Sequence, residues 1–209
     1  MSDVTYPSIL AGLQDRVVWL DLRVAILDTI LDERSEDMVR AAPIIFGPLA
    51  GSLLHDVLLT IAKLYERGSD RSIHKLVNVA EQQCEEIQWR YPPSAALFAG
   101  NRKAIDEQEE VLRSIKGRRD KSIAHYDKQY FHNLLKLDED FPLSSRAVIE
   151  VVRVTQEILA SHTRALDGSA AISWSAFASV ATKSMLLVLA AEAKQRRSQV
   201  PDEDDESQA

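Results

Sequence analysis

A length of 209 residues allows one domain with a sizeable hydrophobic core but is short for two, and 45% hydrophobic with 27% charged residues is typical of a globular protein. The formal net charge of −7 argues against a protein that coats nucleic acid generally, although five of the negative charges fall in residues 202–206 and leave the rest nearly neutral. The single cysteine, Cys84, cannot form an internal disulfide, so we expect a small buried side chain and a reducing compartment.

Apolar residues recur at intervals of three or four over almost the whole chain, and no alternating strand pattern competes with them. This periodicity predicts an all-α protein. Its most regular stretch predicts one long amphipathic helix over residues 8–32. In the next segment we expect Pro43 and Pro48 to break or kink a helix whose apolar pattern resumes at Leu53 and continues to about Glu66.

Two further helices are predicted in the middle of the chain. The first covers residues 73–87 and is ended by Pro92 and Pro93, because the residue before a proline is pushed towards an extended backbone. The second covers residues 101–116, and Gly117 is predicted as its C-terminal cap because glycine readily adopts the left-handed conformation of such caps.

The C-terminal part contains two more predicted helices. One starts at Ser144 or Ser145 and ends at Gly168. The other covers residues 175–196, and because it is apolar all round near its middle we expect it to be sandwiched in the core or buried against a second subunit. The acidic end of the chain, residues 198–209, is predicted to be a disordered tail.

Neither a secretory signal nor a membrane span is expected. The first apolar residues are interrupted by charged side chains at Asp3, Asp15 and Arg16. The longest wholly apolar run, residues 185–191, is far shorter than the roughly 20 residues that a membrane-spanning helix needs. We therefore expect a cytoplasmic protein without a membrane partner.

Residues 118–127 place two arginines, a carboxylate and a histidine within two helical turns. An arginine can hold a phosphate by two parallel hydrogen bonds, and a histidine can take or give a proton near neutral pH. These residue types are the minimum needed to cleave RNA without a metal. Between Arg113 and Lys128 there are six Lys or Arg residues against two Asp, so this part of the chain is locally basic and suited to phosphate.

Helix geometry does not decide which of the two arginines pairs with His125. On an unbroken helix Arg118 and His125 are seven residues apart and share a face, whereas Arg119 points elsewhere. If Gly117 ends one helix and Asp120 is the N-cap of a new one, Arg119 becomes free to turn inward.

Spacing alone is not specific, because Arg67 and His74 are also seven residues apart and have no evident function. His55, His132 and His162 are dispersed, and no histidine and glutamate pair has metal-ligand spacing, so no metal or cofactor is expected. His162 lies near the apolar stripe of its helix and is expected to be a hydrogen-bonded core histidine.

The segment Arg-Asp-Lys-Ser-Ile-Ala-His-Tyr-Asp at residues 119–127 resembles a known motif. It follows an amphipathic helix and is similar to the R-x(4–6)-H signature of HEPN domains, with a polar residue directly after the arginine. The branch that it resembles is the AbiU-like abortive-infection group, which carries arginine, Asn or Asp, and lysine before an Ile-Ala-His-x-Asp pattern. The resemblance covers about residues 10–165, and only the nine-residue motif is specific.

The resemblance implies an all-α, HEPN-like helical bundle with an additional C-terminal helix. One domain would cover residues 1–197, followed by the acidic tail at residues 198–209. It also implies a homodimer whose two motifs face each other across a cleft, and a metal-independent endoribonuclease active in phage defence or as a toxin. RNA and an antitoxin or activator protein are the partners that it implies.

Transferred by position, the resemblance assigns roles to the motif residues. Arg119 would bind and polarise the scissile phosphate, and Asp120 would orient that arginine. His125 would act as general acid or base, which leaves a 2′,3′-cyclic phosphate on the product. The residues expected to contact the substrate beside them are Arg118, Lys121 and Tyr126.

Two alternatives stay open. Without the resemblance, Arg119 and Asp120 could simply bond the free backbone groups of a helix junction while His125 packs beside Tyr126. With it, the protein could be an inactive relative, that is, a noncatalytic module that binds RNA or a partner protein.

Overall fold

The computed structural model describes residues 5–32, 39–40, 42–123, 130, 133–170 and 173–199. Within these ranges every regular element is helical, which confirms the all-α prediction. The described ranges contain eight α-helices and one π-helical turn: α1 (Tyr6–Leu31), α2 (Pro43–Leu64), α3 (Ile73–Gln82), α4 (Ala95–Asp106), α5 (Glu109–Arg118), the π turn (Arg119–Ile123), α6 (Leu134–Asp140), α7 (Ser145–Asp167) and α8 (Ser175–Gln199).

Helix α1 is central to the bundle, as its unbroken apolar pattern predicts. It packs against α2, α7 and α8. Ile9, Leu13 and Leu20 have no exposed surface and follow one another at helical spacing. Full burial of each such side chain contributes about 1.5–3 kcal/mol, so this row is a main source of the stability of the fold.

Helix α2 is continuous through its second proline, so the predicted break at Pro48 is wrong. Pro43 occupies the first turn, where its missing N–H has no partner in any case. Pro48 removes only the one bond that its N–H would have donated to the carbonyl of Ile44. The apolar contacts of Phe46 with Ile30 of α1 and Leu186 of α8 hold this first part of the helix in place.

The boundaries in the middle of the chain differ from the prediction. Helix α3 ends at Gln82, and the following turn is closed by the indole N–H of Trp89, which donates to the carbonyl of Cys84 at 2.8 Å. Cys84 is therefore half-buried rather than fully buried. The single helix predicted over residues 101–116 is two helices, α4 and α5, whose apolar pattern continues across the break because both bury isoleucines in the same core.

Gly117 is not a helix cap. It lies inside α5 without a positive φ, and the chain continues directly into the π turn. A Cβ atom at this position would lie 2.8 Å from Cγ of Phe141 and still closer to two other ring atoms. Glycine is required here because the Phe141 ring packs directly on the helix backbone. Asp120 lies inside the π turn, so its predicted role as the N-cap of a new helix is also wrong.

The last two helices, α7 and α8, follow the prediction closely. The hydroxyl of Ser144 accepts a hydrogen bond from the N–H of Ala147 at 3.2 Å and caps α7. Gly168 ends α7 with a φ of 80°, in the left-handed region that favours glycine. Helix α8 continues to Gln199, so the first two residues of the predicted tail are helical, and residues 200–209 lie outside the described residues.

His162 is a satisfied core histidine, as predicted. Its Nδ1 lies 2.7 Å from the hydroxyl of Tyr6, and its Nε2 lies 3.0 Å from the side-chain nitrogen of Asn101. Both ring nitrogens are therefore hydrogen-bonded in a site with no exposed surface. Burial lowers the pKa of His162 to about 4, so the ring is neutral at neutral pH.

Helix α8 is not sandwiched within the chain. It buries Ala178, Thr182 and Leu186 on one face, while Phe177 and Val188 are each 68% exposed. Two helical stretches, Pro43–Leu64 and Ser175–Glu192, are long and apolar enough to cross a membrane by length and composition, with only 22% and 17% of their most apolar windows buried. The length of the longest uninterrupted apolar run is therefore, by itself, too strict a test for a helix that could cross a membrane.

Candidate functional site

The basic motif begins in the π turn that extends α5. In a π turn the backbone bonds run from residue i to i+5, which widens the helix and re-aims its side chains, and such turns are frequent at functional sites. Helix α2 packs against both α5 and the turn and fixes their position. Among the candidate residues, Arg118, Arg119, Asp120 and Lys121 are described, whereas His125 and Tyr126 lie outside the described residues.

Arg118 is fastened to the end of α6. Its Nε donates to the carbonyl of Phe141 at 2.7 Å, and its Nη2 donates to Oδ1 of Asp138 at 2.6 Å. Only 15% of its side chain is exposed. These contacts tie the last turn of α5 to the end of α6, which lies beyond the motif in the chain.

Arg119 faces a different direction from Arg118. Its Nε and Nη2 each lie 2.7 Å from Oδ1 of Asp120, and 18% of its side chain is exposed. The two contacts use one edge of the guanidinium, which carries five N–H donors in all. Within the described part of the chain, the other edge remains available for a ligand.

Arg119 lines a cavity of about 350 Å³ between the C-terminal end of α2, the start of α3 and one face of α5. This volume lies within the range of ligand-binding pockets. Four cationic residues line it against two glutamates, so the cavity carries an excess of positive charge; they are Arg67, Arg113, Lys116 and Arg119 against Glu66 and Glu109.

His74, for which the sequence indicated no function, lies in the same cavity together with Arg67. The ring of His74 packs edge-on against Tyr65, with 6.0 Å between the ring centroids. The Tyr65 hydroxyl lies 2.7 Å from Oγ1 of Thr155 on α7, which fixes the tyrosine. Burial first, and then the positive charge of Arg67, lower the pKa of His74, so its ring is neutral at neutral pH.

The pairing of His74 with Arg119 depends on tertiary structure. The turn between α2 and α3 brings His74 against α5, 45 positions before Arg119 in the chain. No spacing in the sequence signals this contact. In the described ranges, no three His, Cys, Asp or Glu side chains come close enough together to hold a metal ion.

Comparison with protein families identifies the relatives of this chain. The family model HEPN_AbiU2, described as AbiU2, matches residues 9–185. The match spans α1 to the middle of α8 and includes the whole motif, so it extends about 20 residues beyond the resemblance seen in the sequence. Searches of curated proteins and of solved structures each gave no match. With most of its length matched, and with an all-helical bundle, the chain belongs to the HEPN_AbiU2 family.

Proposed function

We propose that this protein is a metal-independent endoribonuclease of a phage-defence or toxin type. One observation carries the proposal: in a HEPN_AbiU2 chain, Arg119 lies at the edge of a positively charged cavity with one side of its guanidinium held by Asp120. RNA is the substrate that suits such a site, because its phosphates can accept two parallel hydrogen bonds from an arginine and its 2′-hydroxyl can supply the nucleophile.

Arg119 and Asp120 would act as a unit on the scissile phosphate. The carboxylate holds Nε and Nη2, and the opposite edge of the guanidinium binds the nonbridging phosphate oxygens and stabilises the charge that grows on them. Arg118 would be a positioning residue, since its contacts with Asp138 and Phe141 fix the π turn. This arrangement favours Arg119 over Arg118 as the phosphate ligand.

His125 would transfer the proton. It takes the proton of the ribose 2′-hydroxyl while O2′ bonds to phosphorus and the bond from phosphorus to O5′ breaks. The leaving O5′ takes a proton from a second acid, which the His125 of a second copy or water can supply. The products are a 2′,3′-cyclic phosphate and a free 5′-hydroxyl. Lys121 and Tyr126, beside the two reacting residues in sequence, would contact the RNA.

Cleavage of mixed-sequence RNA in EDTA tests this proposal. We expect the wild type to release products ending in cyclic phosphate, and His125→Ala to lower the rate by about 10² to 10⁴, the usual worth of one acid or base. Arg119→Lys should also lose activity, because lysine keeps the charge but not the paired hydrogen bonds. Lys103→Ala, which removes an exposed charge on α4, is the matched control and should cleave normally.

The outcome that would overturn the proposal is equally specific. Cleavage retained in His125→Ala and Arg119→Lys, both folded by circular dichroism, would place the activity outside the motif. Repeating the assay with lysate from phage-infected cells tests whether cleavage needs an activator protein that the purified chain lacks.

A noncatalytic module for protein interaction is the second candidate. The apolar side chains exposed on α8, Phe177 and Val188 among them, favour it because large exposed apolar surfaces mark interaction sites. An antitoxin or activator in the cytoplasm would then be the partner. Tight binding of RNA or protein by a wild type that never cleaves RNA, alone or with infected lysate, would support this candidate.

A further inference from the structure

We propose that the cavity beside Arg119 is a subsite for a second phosphate of the RNA strand. Arg113 and Lys116 would be its cationic ligands, and His74 would hydrogen-bond to the bound phosphate. This inference rests on RNA as the substrate and extends the site from the motif to α3.

Four of the charged residues of the cavity form a row that runs along one face of α5 and ends in the π turn. Glu109, Arg113, Lys116 and Arg119 follow one another at intervals of four and three, which places them on the same side of the helix. From Arg113 to Arg119 the row rises about 9 Å along the helix axis at 1.5 Å per residue. The row is longer than one phosphate group, so a strand held at Arg119 can also reach Lys116 and Arg113.

The carboxylates at the cavity cancel only part of its positive charge, since Glu66 and Glu109 line it against four cations and Asp120 pairs with Arg119. Arg67 pairs with Glu109, at 3.1 Å between Nη2 and Oε2, so that these two charges balance. The nearest carboxylate to Arg113 is Glu110 at 3.8 Å, and both side chains are more than 70% exposed. A pair this exposed contributes little and is easily exchanged for a phosphate.

His74 is placed to respond to a bound phosphate. The charged groups that face it are Arg67 and Arg102, which lower its pKa, and Glu109 and Asp106, which raise it. A phosphate in the cavity adds negative charge beside the imidazole and favours the protonated form. Occupancy of the subsite should therefore raise the pKa of His74.

The test uses two probes, inorganic phosphate and a 2′-O-methyl oligoribonucleotide, which cannot be cleaved because its 2′-oxygens carry no proton. The His74 imidazole signal is followed by NMR as a function of pH and is assigned by its loss in His74→Gln. We expect both probes to raise the pKa of His74, the oligonucleotide at much lower concentration. A shift with phosphate but not with the oligonucleotide would mean a phosphate site unrelated to RNA and would overturn the proposal.

Variants test the ligands separately from the chemistry. Arg113→Gln with Lys116→Gln should weaken oligonucleotide binding about tenfold and lower the slope of log affinity against log salt by about 0.7, the value for the one phosphate that is no longer neutralised. Lys103→Gln, at an exposed lysine outside the cavity, changes charge without touching the subsite and serves as the control. Binding and salt slope unchanged relative to this control would refute the subsite.

Failure of the subsite and failure of the nuclease can be told apart. In the His125→Ala variant, binding of the uncleavable oligonucleotide should still depend on Arg113 and Lys116, since no proton transfer is involved. Oligonucleotide binding that depends on Arg113 and Lys116, in a protein that never cleaves RNA, would support the subsite and reject the nuclease. If RNA cleavage depends on the motif but the double variant Arg113→Gln with Lys116→Gln binds substrate as tightly as the wild type, the nuclease is supported and the subsite is rejected.

Discussion

At the scale of single residues, His162 connects pH to stability. Its ring is fully buried between Tyr6 and Asn101, and burial lowers its pKa to about 4 in the folded protein. The unfolded chain has an ordinary histidine pKa near 6.5. Between these values the unfolded state binds a proton that the folded state does not, so stability is fully present above pH 6.5 and is lost as the pH falls towards 4.

We expect this histidine to lower the free energy of unfolding by about 1.4 kcal/mol for each pH unit below 6.5. Urea unfolding at pH 7 and pH 5 measures the change, and the variant His162→Gln separates it from the titration of carboxylates. The variant should be less stable at pH 7 but should lose less stability than the wild type on acidification. An identical loss in both proteins would show that His162 does not titrate in this range.

Two histidines show which contacts can be predicted from the sequence and which cannot. His162 could be predicted as a core residue because it lies beside the apolar stripe of its own helix, and that information is local. His74 could not be connected with Arg119, because their common cavity depends on how the turn after α2 packs against α5. The motif itself was identified from sequence, while the direction in which each arginine points was not.

At the scale of elements, Gly117 is where the end of α5 meets the segment after the motif. The ring of Phe141 occupies the space that a Cβ would need, and Arg118 donates to the carbonyl of the same phenylalanine. Helix propensity would otherwise favour alanine over an interior glycine by about 1 kcal/mol. Forcing a methyl group into a packed contact costs about 1–3 kcal/mol, so the steric cost should win.

We therefore expect Gly117→Ala to destabilise the protein and to weaken RNA cleavage, because it displaces the segment that anchors Arg118. Gly12→Ala on α1 is the matched control: nothing lies within 4 Å of the new Cβ, so the substitution should stabilise the protein. Thermal unfolding of both variants makes the comparison. If Gly117→Ala gains as much stability as Gly12→Ala, the Phe141 ring does not pack on the backbone as described.

Helix boundaries were the least predictable elements, for identifiable reasons. Hydrophobic periodicity located α7 because it keeps one apolar face along its length, and α1 because buried residues recur at helical spacing throughout it. The same periodicity joined α4 to α5, since Ile105 and Ile115 both enter the core on either side of the break. Proline rules overestimated the effect of Pro48, whose position in the second turn costs only one backbone bond.

At the scale of the whole molecule, the main feature to explain is the apolar surface that α8 exposes to solvent. One face of this helix packs on α1, and the other presents Phe177, Val180 and Val188 to solvent. Trp174, at the start of the helix, is 49% exposed and packs edge-on against Phe177, which extends the apolar surface. We expect a second copy to cover this surface, because large exposed apolar surfaces mark interaction sites and the proposed nuclease can use the His125 of a second copy.

We expect the wild type to be a dimer, with twice the 23.4 kDa of the chain, by light scattering at micromolar concentration in buffer without detergent. Val188→Asp should give monomers, because it places a charge in the apolar contact, and it should lose RNA cleavage if each cleft needs two motifs. Ala99→Asp adds the same charge at an exposed position of α4 instead of α8 and should remain dimeric. A wild type that is monomeric in buffer but sediments with phospholipid vesicles, and loses that property in Val188→Asp, would instead assign this face of α8 to a membrane.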